Sequence, residues 1–159
     1  NQNPSKNSKN KSVKKKILLM DSGTKLLSYQ ISKTLKEISK MDEFIFYIGT
    51  SSLKKKDIKF IIKQKNMMPI RGNKEMYKEI NNVDYVIARA GFNTLSECII
   101  YKKPTLFVDE INNPEINENI RYIKNLKLGS LFDYKDWGKN FRFRLNSFII
   151  NLIFFKIHD

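Results

Sequence analysis

The chain is poor in the side chains that most often carry covalent and metal chemistry. Cys98 is its only cysteine and His158 its only histidine, which excludes an internal disulfide and a thiolate zinc cluster and argues against a histidine-rich metal site. A catalytic Cys–His pair is also disfavoured, because His158 is next to the last residue. We expect Cys98 to be a small core residue, and its isolation fits a reducing, cytoplasmic compartment.

Acidic residues are scarce as well. Sixteen Asp and Glu face thirty Lys and Arg, which gives a net charge of +14. Such an excess favours anionic partners, namely phosphates, anionic lipid or nucleic acid. For the bulk of the charge we prefer a simpler interpretation, in which lysines cover solvated helix surfaces, because much of the excess lies in the N-terminal tail and on helices and not in one stripe.

Long apolar runs are missing too. The run 148–155 is interrupted by Asn151 and is far shorter than the ~20 residues that span a bilayer. Residues 1–16 hold almost nothing apolar and no signal-peptide core, so they are predicted to be a disordered linker that follows some other segment. For the apolar and basic C-terminal segment 136–159, a packed terminal helix is preferred over an interfacial anchor.

Between these ends, in residues 17–135, short apolar runs alternate with helical periodicity. Strands are predicted at 17–20, 44–48, 67–70, 84–88 and 104–108, with an edge strand at 131–132. Strands that alternate with helices at this spacing predict one α/β domain with a doubly wound, Rossmann-like parallel sheet. Right-handed crossovers then place the loop after every strand on the same edge of the sheet, where ligands bind.

The most informative segment is 84–97, which reads DYVIARAGFNTLSE. It predicts a buried strand, a tight turn at Gly91 and a helix start with Asn93 as the N-cap. The first amides of a helix have no partner inside the helix and lie at the positive end of its dipole, so the junction predicts an anion site. Glu97 lies one turn further on, where a carboxylate accepts hydrogen bonds from a diol such as ribose. The segment therefore predicts a pocket for a sugar nucleotide.

The same segment, with Lys103-Pro104 after it, resembles the donor-binding half of GT-B glycosyltransferases. The closest resemblance is to the family 28 C-terminal domain, a family that includes the peptidoglycan N-acetylglucosaminyltransferase. The family pattern is Asp, hydrophobics, Arg, a small residue, Gly, two variable residues, Thr, two variable residues and Glu, and every fixed position is present. The similarity extends more loosely from about Ile17 to Phe132. It implies the C-terminal half of a GT-B fold and a role in cell-envelope polysaccharide synthesis.

Carried over by position, the resemblance implies a set of residues that bind the substrate. They are Ser22, Gly23 and Thr24 after the first strand, Asn73 near the uracil, Arg89, Gly91, Phe92, Asn93 and Thr94 around the diphosphate, Glu97 at the ribose, and Glu115 and Asn119 at the donor sugar. The family usually has a His-Gln or Gln-Gln pair before the Asn, but this chain has Glu115 and Ile116, which leaves the sugar unidentified. Asp21 is an unfavourable neighbour for a diphosphate.

In function, the resemblance implies a hexosyltransferase that takes a UDP-sugar, most simply a UDP-N-acetylhexosamine, without a metal or cofactor. In the family the acceptor and the catalytic base come from the first domain, so no catalytic residue is identified here. We expect an acceptor-binding domain or partner chain, contact with the inner face of a membrane, and no nucleic acid.

Two other functions stay open at the level of sequence. One is a nucleotide-sugar hydrolase or epimerase of related fold, in which Glu115 or Asp109 would act as acid or base. The other is a non-catalytic basic module that binds RNA or anionic membrane. The motif residues also have purely structural interpretations, in which Glu97 pairs with Lys102 or Lys103 and Arg89 caps a neighbouring helix.

Overall fold

The computed structural model describes residues 12–21, 24–110 and 112–158, with the side chains of Asn73 and of residues 154–158 outside that description. In this part of the chain six strands form one all-parallel sheet in the order β3-β2-β1-β4-β5-β6. The strands are β1 Lys15–Leu19, β2 Phe44–Gly49, β3 Met67–Ile70, β4 Tyr85–Arg89, β5 Thr105–Val108 and β6 Ser130–Phe132. The helices are α1 Lys25–Ser39, α2 Lys55–Lys63, α3 Asn73–Ile80, α4 Phe92–Ile100, α5 Pro114–Leu126 and α6 Phe141–His158.

Helices cover both faces of the sheet, which explains the continuous apolar runs of the central strands. Ile17 and Leu19 of β1 face a core shared with α1, α2 and α6, whereas Leu18 faces a core shared with α3, α4 and α5. All three side chains are fully buried. The predicted doubly wound, Rossmann-like parallel sheet is therefore confirmed.

The beginning of the sheet differs from the expectation. Strand β1 begins at Lys15, inside the segment 1–16 that was predicted to be a linker. The amide of Lys16 donates to the Asp84 carboxylate at 2.8 Å, and Lys15 pairs with Phe44 of β2. These contacts continue the sheet two residues before the apolar run, while residues 1–11 of the predicted linker lie outside the described part.

The C-terminal helix belongs to the same core. Phe141, Leu145 and Phe148, spaced by four and three residues, are buried against α1 and the sheet. Each such burial contributes about 1.5–3 kcal/mol. Helix α6 thus packs into the same core as the elements before residue 135, as the packed-helix interpretation of the segment expects. No helix in the described part combines the length and the apolar character that crossing a membrane requires.

The strand order places a crevice between β1 and β4, where the chain changes direction across the sheet. From β1 the order runs outward to β3 on one side and to β6 on the other. The loops after β1 and β4 therefore diverge, and ligands of open α/β sheets bind at such a point. The start of α4 and the polar residues at the ends of β4 and β5 lie at this edge.

Candidate functional site

The start of α4 presents three backbone amides that make no hydrogen bond to any described residue. Strand β4 ends at Arg89, Gly91 is still extended (φ −71°, ψ 150°), and its carbonyl accepts the first helical hydrogen bond from the Leu95 amide at 2.9 Å. Among the described residues, no side chain caps this terminus. The amides of Phe92, Asn93 and Thr94 precede that first bond, so they and the positive end of the dipole remain available to an anion.

The expected N-cap was wrong by two residues. Gly91 is the N-cap, and Asn93 is the second residue of the helix, where its side chain caps nothing. Asparagine is a strong N-cap only when its backbone is extended. Here the chain has already entered the helix at Phe92, so Asn93 offers its amide and an exposed side chain.

Next to these amides lies a surface groove of about 260 Å³. Its lining residues are Tyr77, Phe92, Asn93, Ser96 and Glu97. Glu97 is half-buried and makes no ion pair with any described residue, and Lys103 instead donates its ammonium to the Val83 carbonyl at 2.7 Å. The carboxylate of Glu97 therefore faces the groove with its hydrogen-bonding capacity unused.

Helix α3 forms the other wall of this groove. The hydroxyls of Tyr77 and Thr94 lie 3.4 Å apart, and Thr94 is buried. Its amide, not its hydroxyl, is thus the group available to a ligand. Helix α3 begins at Asn73 after Gly72, whose φ of 81° favours glycine over any side chain. Of Asn73 the structure describes only the backbone, which lies in the first turn of α3.

Arg89 points to the opposite face of the sheet. Its guanidinium forms an ion pair with Glu110, in the loop after β5, and both side chains are about a quarter exposed. Glu110 also accepts a hydrogen bond from the side-chain amide of Asn113. Asn113 in turn caps α5, because its side-chain oxygen accepts from the backbone amide of Ile116 at 3.2 Å. Arg89 therefore braces the loop between β5 and α5, and it does not line the groove that holds Glu97. Sequence reasoning did not single out Glu110.

A small second cavity, of about 20 Å³, lies beside this ion pair. Thr24, Gln30, Arg89, Asp109 and Glu110 contribute its polar lining. Gln30 is 2% exposed, and neither atom of its amide finds a partner among the described residues. An unpaired buried amide costs about 1–3 kcal/mol, and the cavity has room for about one water. No signal in the sequence marks Gln30, because it occupies an ordinary helical position.

Two predicted sugar contacts take different positions in α5. Asn119 donates its side-chain amide to the Ala90 carbonyl at 2.8 Å, so it holds the turn that precedes α4. In this structure its contact is therefore with the turn itself and not with an open pocket. Glu115 is exposed in the first turn of α5.

The loop after β1 is only partly described, since Ser22 and Gly23 lie outside the described residues. Thr24 follows them and caps α1, accepting from the Leu27 amide at 3.3 Å. Asp21, the awkward neighbour, is fully buried and turns towards the loop after β2, where it accepts from the Ser52 amide at 2.7 Å. Gly49 permits this approach, because a Cβ there would lie 2.7 Å from the other carboxylate oxygen.

Cys98 is buried in the core on the α4 side, as expected. Burial raises the pKa of its thiol. A hydrogen bond with Thr105 lowers this pKa in part, and the negative charge of Glu97 raises it further. A thiol with a raised pKa is a poor nucleophile at neutral pH. Within the described residues, no three His, Cys, Asp or Glu side chains come together as a metal site.

Comparisons with known proteins identify a family and agree with the fold. The family model of the glycosyltransferase family 28 C-terminal domain matches residues 22–141. The structure is similar to that of the glycosyltransferase SnogD from Streptomyces nogalater (TM-score 0.60, 14% identity, 80% of this chain). It is similar to MurG from Acinetobacter baumannii as well (TM-score 0.60, 15% identity, 93% of this chain). At these identities the likeness establishes the fold, and no curated protein sequence matches the chain.

Proposed function

The chain belongs to the family of glycosyltransferase family 28 C-terminal domains, and from that membership we propose that it binds the UDP-sugar donor of a glycosyltransferase. The observation that carries this proposal is the start of α4. Three amides there make no bond to the described protein, and the unpaired carboxylate of Glu97 lies one turn away in the same groove. In UDP a phosphoester joins the diphosphate directly to the ribose. A UDP site therefore requires donors for the diphosphate and, close to them, an acceptor for the ribose hydroxyls.

We place the diphosphate at the amides of Phe92, Asn93 and Thr94. Hydrogen bonds to a charged group contribute about 1.5–3 kcal/mol each, and the helix end adds the attraction of roughly half a positive charge. The same donors stabilise the diphosphate as it leaves, because the negative charge on it grows when the glycosidic bond breaks. This stabilisation uses backbone groups alone and needs no metal.

We place the ribose at Glu97 and the uracil towards the start of α3. The groove supports this direction, because Tyr77 of α3 forms its wall opposite Glu97. The donor sugar then lies on the other side of the Gly91 turn, towards the polar residues around Arg89 and Glu110. A UDP-N-acetylhexosamine is the donor we propose first, and the ranking of sugars by affinity tests that choice.

The acceptor half is a separate part of this proposal. The chain spans 34% of the SnogD chain and 42% of the MurG chain, so it corresponds to less than half of either. We propose that a second domain or a partner chain holds the acceptor and supplies the catalytic base, and that the present domain holds and activates the donor.

Uridine nucleotides should stabilise the domain in proportion to their affinity. At one hundred times its dissociation constant, a ligand adds about 2.7 kcal/mol to the free energy of unfolding. For a domain of this size that raises the melting temperature by roughly 5–10 °C. The measurement is a thermal unfolding series with UDP, uridine and several UDP-sugars, with ADP as the matched control nucleotide.

The possible results of this series separate the alternatives. Stabilisation by UDP and a UDP-sugar above that by ADP is the expected result. An absence of stabilisation by every uridine nucleotide would contradict the proposal. Release of UDP from a UDP-sugar without any acceptor would instead identify a hydrolase.

A further inference from the structure

The opposite edge of the sheet, where the strands begin, carries a basic groove far from the donor site. We call it the lysine groove. Its volume is about 600 Å³, and it lies between the ends of α4 and α5, the starts of β5 and β6, and α6. Four lysines and no acidic residue are among its lining residues, which are Cys98, Ile99, Lys102, Lys103, Pro104, Thr105, Ile123, Lys124, Lys127, Leu128, Gly129, Ser130, Phe148 and Leu152.

The four lysines carry more charge than the helix ends require. Lysines near a helix C-terminus normally offset its partial negative charge of about one half. Two helices end here, so about one negative unit faces four positive ones. Two acids of the surrounding elements are already bonded, since Asp84 bonds to Lys15 and Lys16, and Glu118 pairs with Arg121. Glu97, which precedes the lining residue Cys98, lines the separate groove at the start of α4. The edge therefore keeps a net positive field.

Two of the lysines occupy backbone positions that favour another residue. Lys102 and Lys127 have φ values of 51° and 52°, in the left-handed region, directly after α4 and at the end of α5. Helices commonly end in this conformation with glycine, because a Cβ is strained there. Lysine at both positions keeps two charges on the rim of the lysine groove at a cost that glycine avoids.

Apolar side chains protrude beside these charges. Ile99, Ile100 and Tyr101 at the end of α4 are 44%, 69% and 41% exposed, and Tyr122 and Leu126 of α5 are also exposed. Exposed aliphatic and tyrosine side chains next to lysines are typical of surfaces that enter the interface of a membrane. Nucleic acid would use the lysines but not the isoleucines.

We propose that the lysine groove and the side chains around it bind the surface of an anionic bilayer. Lys102, Lys124 and Lys127 contact lipid phosphates, and Ile100 and Leu126 enter the acyl boundary. The apolar floor of the groove accepts part of one lipid. The donor groove lies at the other edge of the sheet, so the bound domain keeps it open to solvent. The surface is independent of the residues that we place around the UDP-sugar.

Co-sedimentation of the full chain with vesicles tests this proposal. Vesicles of phosphatidylcholine mixed with phosphatidylglycerol should bind the chain, and vesicles of phosphatidylcholine alone should not. Each lysine near an anionic surface contributes about 1 kcal/mol, so the double variant Lys102→Gly/Lys127→Gly should bind the mixed vesicles about 30-fold more weakly. Its melting temperature should be unchanged or higher, because glycine relieves the left-handed backbone. Ile100→Ser should weaken binding as well.

The control is Lys56→Gln/Lys59→Gln, which removes two exposed charges from α2 and should leave vesicle binding within twofold of the unaltered chain. Equal binding by the Lys102→Gly/Lys127→Gly variant and the control would overturn the proposal, as would equal binding to vesicles with and without phosphatidylglycerol. Binding to RNA that depends on these two lysines, together with vesicle binding that does not, would assign the groove to nucleic acid and also overturn it. All of these variants should bind UDP with unchanged affinity, which shows that a loss of vesicle binding does not arise from damage to the donor site.

Discussion

Replacing Glu97 with alanine is expected to weaken UDP binding about 100-fold. The carboxylate is half-buried in the groove beside the start of α4 and has no ion-pair partner in the described part of the chain. Placed against a ribose it accepts two charge-assisted hydrogen bonds, whose loss costs about 1.5 kcal/mol or more each. Titration calorimetry with UDP measures the change. Glu97 neither caps a helix nor forms an ion pair with any residue that the structure describes, so the melting temperature of the unliganded variant should change little.

The matched control is Glu118→Ala, which removes the same charge from an exposed helical position on α5. The 2′-deoxy analogue of UDP sharpens the test. It should bind the unaltered chain more weakly than UDP does. The Glu97→Ala variant should bind the two ligands equally, because the missing hydroxyl and the missing carboxylate are the two partners of the same hydrogen bond. If the variant discriminates between them as strongly as the unaltered chain, Glu97 does not bind the ribose.

Replacing Asn93 with aspartate should change stability and UDP affinity in opposite directions. A carboxylate in the first turn of α4 interacts favourably with the helix dipole, which should raise the free energy of unfolding by about 0.3–1 kcal/mol. The same charge would lie close to the bound diphosphate. Two like charges 4 Å apart repel by about 4 kcal/mol near a protein surface, so UDP affinity should fall on the order of 1,000-fold. Thermal unfolding and calorimetry of the same preparation measure both effects.

Asn93→Ala is the matched control, because it removes the side chain without adding a charge. Uridine, which has no phosphate, should bind the aspartate variant as it binds the unaltered chain. An aspartate variant that keeps its UDP affinity would show that the diphosphate does not lie at the start of α4. A variant that loses uridine and UDP equally would point to a local distortion and would also count against this placement.

The positions of the strands along the chain and their parallel arrangement could be predicted from the sequence, because central parallel strands are buried on both faces and read as continuous apolar runs. Ile17, Leu18 and Leu19 show this directly. Element ends were less accurate. Strand β1 begins earlier than its apolar run because Lys16 bonds to Asp84, and α4 begins earlier than Thr94 because Gly91, and not Asn93, supplies the N-cap.

The contacts that shape the site were not readable from the sequence. Arg89 meets Glu110, Asn119 meets Ala90, and Asp21 meets Ser52, across separations of 21, 29 and 31 residues. Each depends on how two loops lie at the edge of the sheet, and local periodicity does not specify this. The helix start with unbonded first amides was predictable, since a strand, a glycine and the helix start are adjacent in the chain and local sequence specifies them.

The most direct test is an NMR titration that follows the backbone amides of Phe92, Asn93 and Thr94 as UDP is added. Amide protons that donate to a diphosphate should move downfield more than any others in the domain, and uridine at the same saturation should move them little. UDP that binds while these three resonances stay in place would contradict the assignment of the diphosphate to the start of α4.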